Sequence, residues 1–269
     1  MKTAQQPYPF KDAHAHIFPA KIARKATNAI GAFYGIEMDN EVAEAAALAQ
    51  IGQEAGIVRS VVCSTATVPA QVRSINDFIA GICREYPQFV GLATLHPDME
   101  DPEGEVERIL KLGLHGIKLH PDFQHFALDD EAALPLYHLA AQAGLPILFH
   151  MGDKRYNNTH PAQLKRVLEK VPKLRVIAAH LGGFSEWDEA AALLVNTDVL
   201  VDTSSSLPFL SAERAAQIIR AFGAERCMFG SDFPMWRPDE EIERFLALPL
   251  TETERAQIAY KTFTDCFGV

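Results

Sequence analysis

The chain has 269 residues, of which 48% are hydrophobic, and a formal charge of −10 at pH 7. Its length suits one large domain, and its acidic balance argues against nucleic acid as a partner, since phosphate binding needs clustered lysine and arginine. The first ten residues contain no apolar stretch typical of a signal peptide, and no apolar run is long enough to span a membrane. We therefore expect a cytoplasmic protein with no membrane partner.

Short runs typical of β-strands alternate with stretches of helical periodicity along the whole chain. From the second run onward the starts fall 24 to 31 residues apart, which is the length of one βα unit. Eight such units favour a single closed (β/α)8 TIM barrel over residues 1–269, rather than a doubly wound open sheet, because no glycine-rich turn follows the first run. The predicted strands are 10–16, 59–64, 89–95, 114–120, 145–150, 174–180, 198–204 and 226–232.

Five of the intervening stretches carry helix signals. Two of them end on glycine, as helix C-termini often do, and the others show helical spacing or the position expected of a closing helix. The predicted helices are 41–56, 130–144, 160–170, 211–222 and 252–266.

One segment, 17–40, is additional to the repeating pattern and lies between the first strand and its helix. In a barrel this connection is on the catalytic face, so we expect a small lid insertion there. Phe33, Tyr34 and Ile36 would be exposed unless they cover the mouth. We predict either that residues 30–40 close over the pocket when ligand binds or that they form a permanently packed extra helix.

Histidines occur at the end of the first predicted strand. His14 and His16 are two residues apart, so their side chains project to the same face of a strand and could converge on one ion. Taken alone this pattern is weak, because two polar residues at a strand end are common.

Three further polar residues end later strands: His150, His180 and Asp232. All strand C-termini of a parallel barrel surround the same mouth, so these side chains should meet His14 and His16 there. Imidazoles with a carboxylate are the ligands of a catalytic Zn²⁺, or of Mn²⁺ or Fe²⁺. We therefore predict a divalent metal site, with Zn²⁺ expected first and Mn²⁺ as the alternative.

The chain also resembles a known family, the amidohydrolase superfamily, and within it the amidohydrolase-related branch that includes aminocarboxymuconate-semialdehyde decarboxylase. The matching motifs, in order, are DAHAHIFP, GIKLHP, LFHMG, AAHLGG, VDTS and FGSDFP, which span residues 12–235. The resemblance implies a mononuclear site in which His14, His16, His150 and Asp232 hold the metal. It also implies that His180 lies close by as an acid/base or charge-stabilising group, and that the protein forms a homodimer.

Two residues on the fourth predicted strand, Lys118 and His120, are expected at the pocket. Lys118 has three interpretations: a carboxylated bridge between two metals, a partner for a substrate carboxylate, or a buried cation paired with an acid. Its period-two neighbour His120 lies at the strand end and should line the pocket.

Loop residues beyond the fifth and eighth strands complete the candidate site. Arg155 and Arg237 could each clamp a substrate carboxylate with two hydrogen bonds, or could simply be solvated loop charges. Asp12 is expected to support a ligand histidine rather than bind metal. Asp202 is left without an assigned role.

Several motifs are absent, which narrows the class of reaction. The chain has no GxSxG, GxxxxGK[ST] or HExxH motif, so serine-hydrolase, P-loop and zincin mechanisms lack their residues. Its four cysteines show no disulfide or zinc-ribbon spacing and are expected to be small core residues.

The function predicted first is hydrolysis of a small carboxylated, lactone or amide substrate by a metal-activated water. In it Asp232 takes the proton of the water, while the metal or His180 stabilises the oxyanion. The alternative is non-oxidative decarboxylation of an aromatic or dienoic acid, with Lys118 or Arg155 orienting the carboxylate that leaves. A third interpretation is a catalytically inactive metal-binding barrel.

Overall fold

Parallel strands follow one another in chain order around the centre of the computed structural model, which describes residues 7–36, 38 and 42–269. Two short strands, β3 and β4, are separated only by Leu92 and together form the third strand of the barrel. The strands are β1 Phe10–Asp12, β2 Ile57–Val62, β3 Phe89–Gly91, β4 Ala93–Thr94, β5 Ile117–Leu119, β6 Ile147–Phe149, β7 Val176–Ala178, β8 Leu200–Asp202 and β9 Cys227–Met228.

Backbone hydrogen bonds close these strands into a ring. At the break between β3 and β4, Leu92 N donates to Val62 O (2.9 Å) and keeps the sheet continuous. Between the last and first strands, Ala13 N donates to Phe229 O and Asp232 N donates to His14 O, both at 2.8 Å. The predicted (β/α)8 barrel is therefore confirmed, with all eight strand positions found.

Helices surround the barrel and connect successive strands. Gly56 and Gly144 end two of them in the left-handed region, at φ 79° and 69°, which confirms the predicted glycine termini. The helices are α1 Ala20–Tyr34, α2 Ala45–Ala55, α3 Val72–Glu85, α4 Pro102–Lys111, α5 Pro121–Gln124, α6 Leu134–Ala143, α7 Pro161–Lys170, α8 Trp187–Leu194, α9 Ala212–Phe222, α10 Pro238–Leu246, α11 Glu252–Ala256 and α12 Thr262–Phe267.

The core has two parts that follow the alternation of side chains along the strands. One lies between sheet and helices, and the other fills the barrel interior with side chains such as Val61, Leu148 and Ile177. Phe263 and Phe267 of α12 belong to the interior part, so the closing helix contributes to it. No helix among the described residues is both long and apolar enough to cross a bilayer.

The segment between β1 and α2 contains the additional helix α1, in agreement with the predicted insertion. Its C-terminal end carries Phe33, whose ring packs against Phe123 (centroids 4.7 Å apart) and Tyr156 (5.2 Å). The helix is therefore packed against the barrel loops. Residues 37, 39 and 40 of the predicted lid lie outside the described residues.

All four cysteines are free, and three of them are buried, as expected of core residues.

Candidate metal centre

Two histidines and one aspartate meet at the mouth of the barrel. His14 Nε2 lies 3.6 Å and His16 Nε2 lies 3.2 Å from the same atom, Asp232 Oδ1. The hydrogen bond from Asp232 N to His14 O holds the two loops in this register. Regular pairing of β1 ends at Asp12, earlier than the predicted 10–16, but an isolated bridge between His16 and Cys63 continues the extended backbone.

The orientation of the His14 ring leaves one nitrogen available. Its Nδ1 lies 3.2 Å from Asp202 Oδ2 and 3.0 Å from Ser204 Oγ, so Nδ1–H is the donor and Nε2 carries the lone pair. The Nζ of Lys118 lies 3.0 Å from that Nε2. Burial, followed by the charge of Lys118, lowers the pKa of His14 well below its usual value, so the ring is neutral as a metal ligand must be.

His150 joins the cluster through His180. His180 Nε2 lies 3.0 Å from His150 Nδ1, while His180 Nδ1 lies 3.0 Å from Ser204 O. His180 and Asp232 both have positive φ, 62° and 61°, although neither is glycine. Such backbone strain is concentrated at functional sites, and here it follows the ends of β7 and β9.

In this cluster Asp232 carries a negative charge and His16 a positive charge. Burial alone would raise the pKa of Asp232, but His14, His16 and His180 outweigh it and lower that pKa. Burial alone would lower the pKa of His16, but Cys63 and Asp232 raise it to about 9. Without a metal, His16 is therefore protonated beside the ionised Asp232. A divalent cation could replace that proton, and the donor set fits one.

Asp12 holds the first strand to the loop after β9. Its carboxylate accepts hydrogen bonds from Ser231 N (2.9 Å), Ser231 Oγ (2.5 Å) and His14 N (3.1 Å). Burial raises the pKa of Asp12 to about 7, while the contacts with Ser231 oppose that rise. Asp12 thus contacts the backbone of His14, consistent with the supporting role expected from the sequence.

A cavity of about 320 Å³ opens beside this cluster. His16, His120, His150, His180 and Asp232 line it together with seven apolar side chains. Among the described residues that line it there is neither lysine nor arginine. The apolar lining consists of Phe18, Ala26, Ala29, Ile30, Phe33, Phe123 and Met235.

Several side chains enter the site without having been assigned to it from the sequence, among them Tyr34, Ser205 and Asp122. The hydroxyl of Tyr34 lies 3.0 Å from His120 Nε2 and 3.4 Å from His150 Nε2. Ser205 Oγ donates to Asp232 Oδ2 at 2.5 Å, and Asp122 Oδ2 lies 3.9 Å from His150 Nε2. The sequence predicted Tyr34 only as a lid residue. Asp122 closely follows His120 in the motif LHPD, and this proximity was the sequence signal that could have placed Asp122 at the site.

The four residues expected to bind substrate have different positions. His120 lines the cavity and stacks on His150 with ring centroids 4.0 Å apart. Burial, followed by the charge of Lys118, lowers the pKa of His120 well below its usual value. Lys118 itself is fully buried and contacts His14.

The two arginines do not line the cavity, which departs from the predicted substrate clamp. Arg155 donates from Nε and Nη2 to the carboxylate of Asp153 (2.9 and 2.6 Å) and from Nη1 to Phe33 O (2.8 Å). Arg237 is directed to Asp239, at 3.2 Å, at the start of α10. The buried carboxylate of Asp153 and the helix-end carbonyl of Phe33 thus occupy the hydrogen-bond donors of Arg155.

Comparison with known proteins gives a family and a fold. A family model described as amidohydrolase matches residues 12–268. Gamma-resorcylate decarboxylase of Polaromonas sp. is 25% identical over 251 residues, covering 72% of this chain and 75% of that protein. Among solved structures, 5-carboxyvanillate decarboxylase from Novosphingobium aromaticivorans, with bound manganese, has a TM-score of 0.76 at 15% identity and covers 98% of both chains. A probable 2-pyrone-4,6-dicarboxylic acid hydrolase from Acinetobacter baumannii has a TM-score of 0.70 at 16% identity, covering 97% of this chain and 100% of the other.

Proposed function

The chain belongs to the amidohydrolase family, and from that premise we propose that it is a metal-dependent decarboxylase of a small aromatic carboxylic acid. The observation that carries this proposal is the cluster of His14, His16 and Asp232 beside a cavity whose remaining lining is mainly apolar. The sequence motifs alone placed hydrolysis first. The named activities of the Polaromonas relative and the Novosphingobium structure favour decarboxylation instead.

The proposed cofactor is one divalent cation held by His14, His16 and Asp232. The family resemblance implies His150 as a further imidazole ligand, while in the structure the two nitrogens of His150 face His180 and Tyr34. The sequence favoured Zn²⁺, but manganese in two similar decarboxylase structures favours Mn²⁺. Carboxylate and imidazole ligands are compatible with either ion. When bound, the cation would supply positive charge that binds the substrate carboxylate and withdraws electrons from it.

The proposed reaction requires the protein's side chains to transfer one proton. When the bond between ring and carboxylate breaks, its electron pair stays on the ring carbon, CO2 leaves, and that carbon takes up a proton. We assign to Asp232 the acceptance of this proton from a substrate hydroxyl and its return to the ring, and its position in the cavity lining supports this assignment. Ser205 fixes its carboxylate by a hydrogen bond of 2.5 Å.

The apolar lining supports the same chemistry. Phe18, Ile30, Phe123 and Met235 line the cavity and would limit access of water to a bound ring. A site with little water favours conversion of a charged carboxylate into neutral CO2 over hydration of the charge. The same lining suits the flat faces of an aromatic substrate.

The experiment that tests the proposal is product analysis on a panel of hydroxybenzoates. Protein loaded with Mn²⁺ should release CO2 and leave a product lighter by that mass, and the His14→Ala/His16→Ala double variant should not. A product heavier by one water would establish hydrolysis. Absence of CO2 from the whole panel would contradict the proposal.

A further inference from the structure

The wall of the cavity formed by α1 and the start of α5 carries hydrogen-bonding groups but no lysine or arginine. We call it the lid-side wall, formed by Ile30, Phe33, Tyr34, His120 and Phe123. Two of its polar atoms, the Tyr34 hydroxyl and His120 Nε2, lie 3.0 Å apart. A phenolic hydroxyl can donate one hydrogen bond and accept others, so this pair can hold a hydroxyl of a ligand.

Neither of the nearby cationic side chains, Lys118 and Arg155, lines the cavity. The guanidinium of Arg155 stands over the rings of Phe33 and Tyr34, at 5.1 and 5.3 Å, and is paired with the buried Asp153. The two rings that line the cavity therefore separate this charge from it. Lys118 is fully buried and its Nζ contacts His14 Nε2.

Negative charge lies behind the same wall. The buried carboxylate of Asp122 has one oxygen 3.9 Å from His150 Nε2, and the same oxygen accepts a hydrogen bond from Thr159 Oγ1 at 3.3 Å. A ligand carboxylate at the lid-side wall would have no lysine or arginine partner among the described lining residues and would lie near this like charge. Burying an unpaired carboxylate is strongly unfavourable, whereas a neutral hydroxyl needs only one hydrogen bond.

We propose that the site accepts aromatic acids with one carboxylate, and that Tyr34 is a specificity-determining residue that binds a ring hydroxyl and excludes a second carboxylate. This inference rests on the proposed function, in which the first carboxylate lies at the metal cluster. The lid helix α1 thereby sets the substrate class, since it supplies the hydroxyl of Tyr34.

Three probes test the proposal by calorimetric titration of the protein loaded with Mn²⁺: 2-hydroxybenzoate, 2,4-dihydroxybenzoate and 2-hydroxyterephthalate. They share one carboxylate and its neighbouring hydroxyl and differ only at the opposite ring position, which carries hydrogen, hydroxyl or carboxylate. We expect 2,4-dihydroxybenzoate to bind most tightly. The terephthalate should bind at least about 100-fold more weakly than it.

One variant and one control test whether the Tyr34 hydroxyl causes the difference in affinity between the probes. Tyr34→Phe should remove the advantage of 2,4-dihydroxybenzoate over 2-hydroxybenzoate, a change of about tenfold for one neutral hydrogen bond. Tyr156→Phe is the matched control, because its ring stacks on Phe33 in the same aromatic group but does not line the cavity, and it should keep the advantage.

The outcomes separate this proposal from the function on which it rests. Equal binding of the terephthalate and the dihydroxybenzoate, or an unchanged preference in Tyr34→Phe, would overturn the specificity proposal while CO2 release continued. Failure of all three probes to bind, together with absence of CO2 from the hydroxybenzoate panel, would overturn the proposed function as well.

Discussion

Replacing Asp232 by asparagine would remove a negative charge and a proton acceptor from the cavity while almost preserving its volume. Oδ1 of Asp232 faces His14 Nε2 and His16 Nε2, and Oδ2 accepts the hydrogen bond of Ser205. The amide oxygen of asparagine can still approach a cation, and the imidazoles remain. Asp232→Asn therefore tests proton transfer more than metal binding.

The expected effect follows from these contacts. A positioned acid–base group typically contributes about 10²–10⁴-fold, which is roughly 3–5 kcal/mol of transition-state stabilisation. We expect turnover to fall at least about 100-fold while the variant keeps a substantial fraction of its metal.

The assay combines CO2 release with metal analysis by mass spectrometry on the same preparation. Asp98→Asn is the matched control, because the same substitution is made at a carboxylate whose side chain is 80% exposed. The control should retain full activity. An Asp232→Asn variant with its metal retained and turnover within about tenfold of the original would refute the assignment of Asp232 to proton transfer.

Three further predictions concern the metal and the stability of the fold. Metal analysis should find close to one equivalent per chain, strongly reduced in His14→Ala/His16→Ala; unchanged content and activity in that variant would contradict the site. His150→Asn should lose the metal, whereas His180→Asn should keep it and lose turnover; the opposite result would exchange the roles of the two histidines. Burial raises the pKa of Glu241 to about 8, so its protonated form stabilises the fold below pH 4.5, and this contribution is lost as pH rises toward 8. Between pH 5 and 8 the Tm of the original protein should therefore fall by several degrees more than that of Glu241→Gln. This corresponds to a loss of up to about 4 kcal/mol in the free energy of unfolding, and parallel curves of Tm against pH would contradict this pKa.

The barrel could be predicted because its signal is distributed over the whole chain. Few other folds are compatible with eight apolar runs at nearly even spacing. The observed strands lie within or overlap each predicted run. Strand ends were less predictable. The run 10–16 looks like one strand, but regular pairing ends at Asp12, because the following residues open into the mouth and pair only at isolated bridges.

The part of the candidate site that follows from the barrel topology could be predicted from the sequence. His14, His16 and Asp232 meet because all strand ends of a parallel barrel share one mouth. The partners of Arg155 were not predictable, since the Phe33 carbonyl becomes available only where α1 ends against the loop after β6. A long cationic side chain near a pocket takes the nearest anion and carbonyl, and their positions depend on loop packing.

Asp202, which had no assigned role in the sequence, explains how the imidazoles are oriented. Ser204 Oγ donates to Asp202 and lies 3.0 and 2.9 Å from the Nδ1 atoms of His14 and His180. Because the single hydroxyl proton is directed to the carboxylate, both imidazoles must donate from Nδ1 and carry their lone pairs on Nε2.

One tautomer then determines the next. His180 Nε2 must accept from His150 Nδ1, 3.0 Å away, so His150 in turn has its lone pair on Nε2, facing Tyr34. Asp202, at the end of β8, thus sets the donor atoms of His14, His180 and His150. No spacing rule in the sequence contains this information, because it depends on which nitrogen of each ring faces which neighbour.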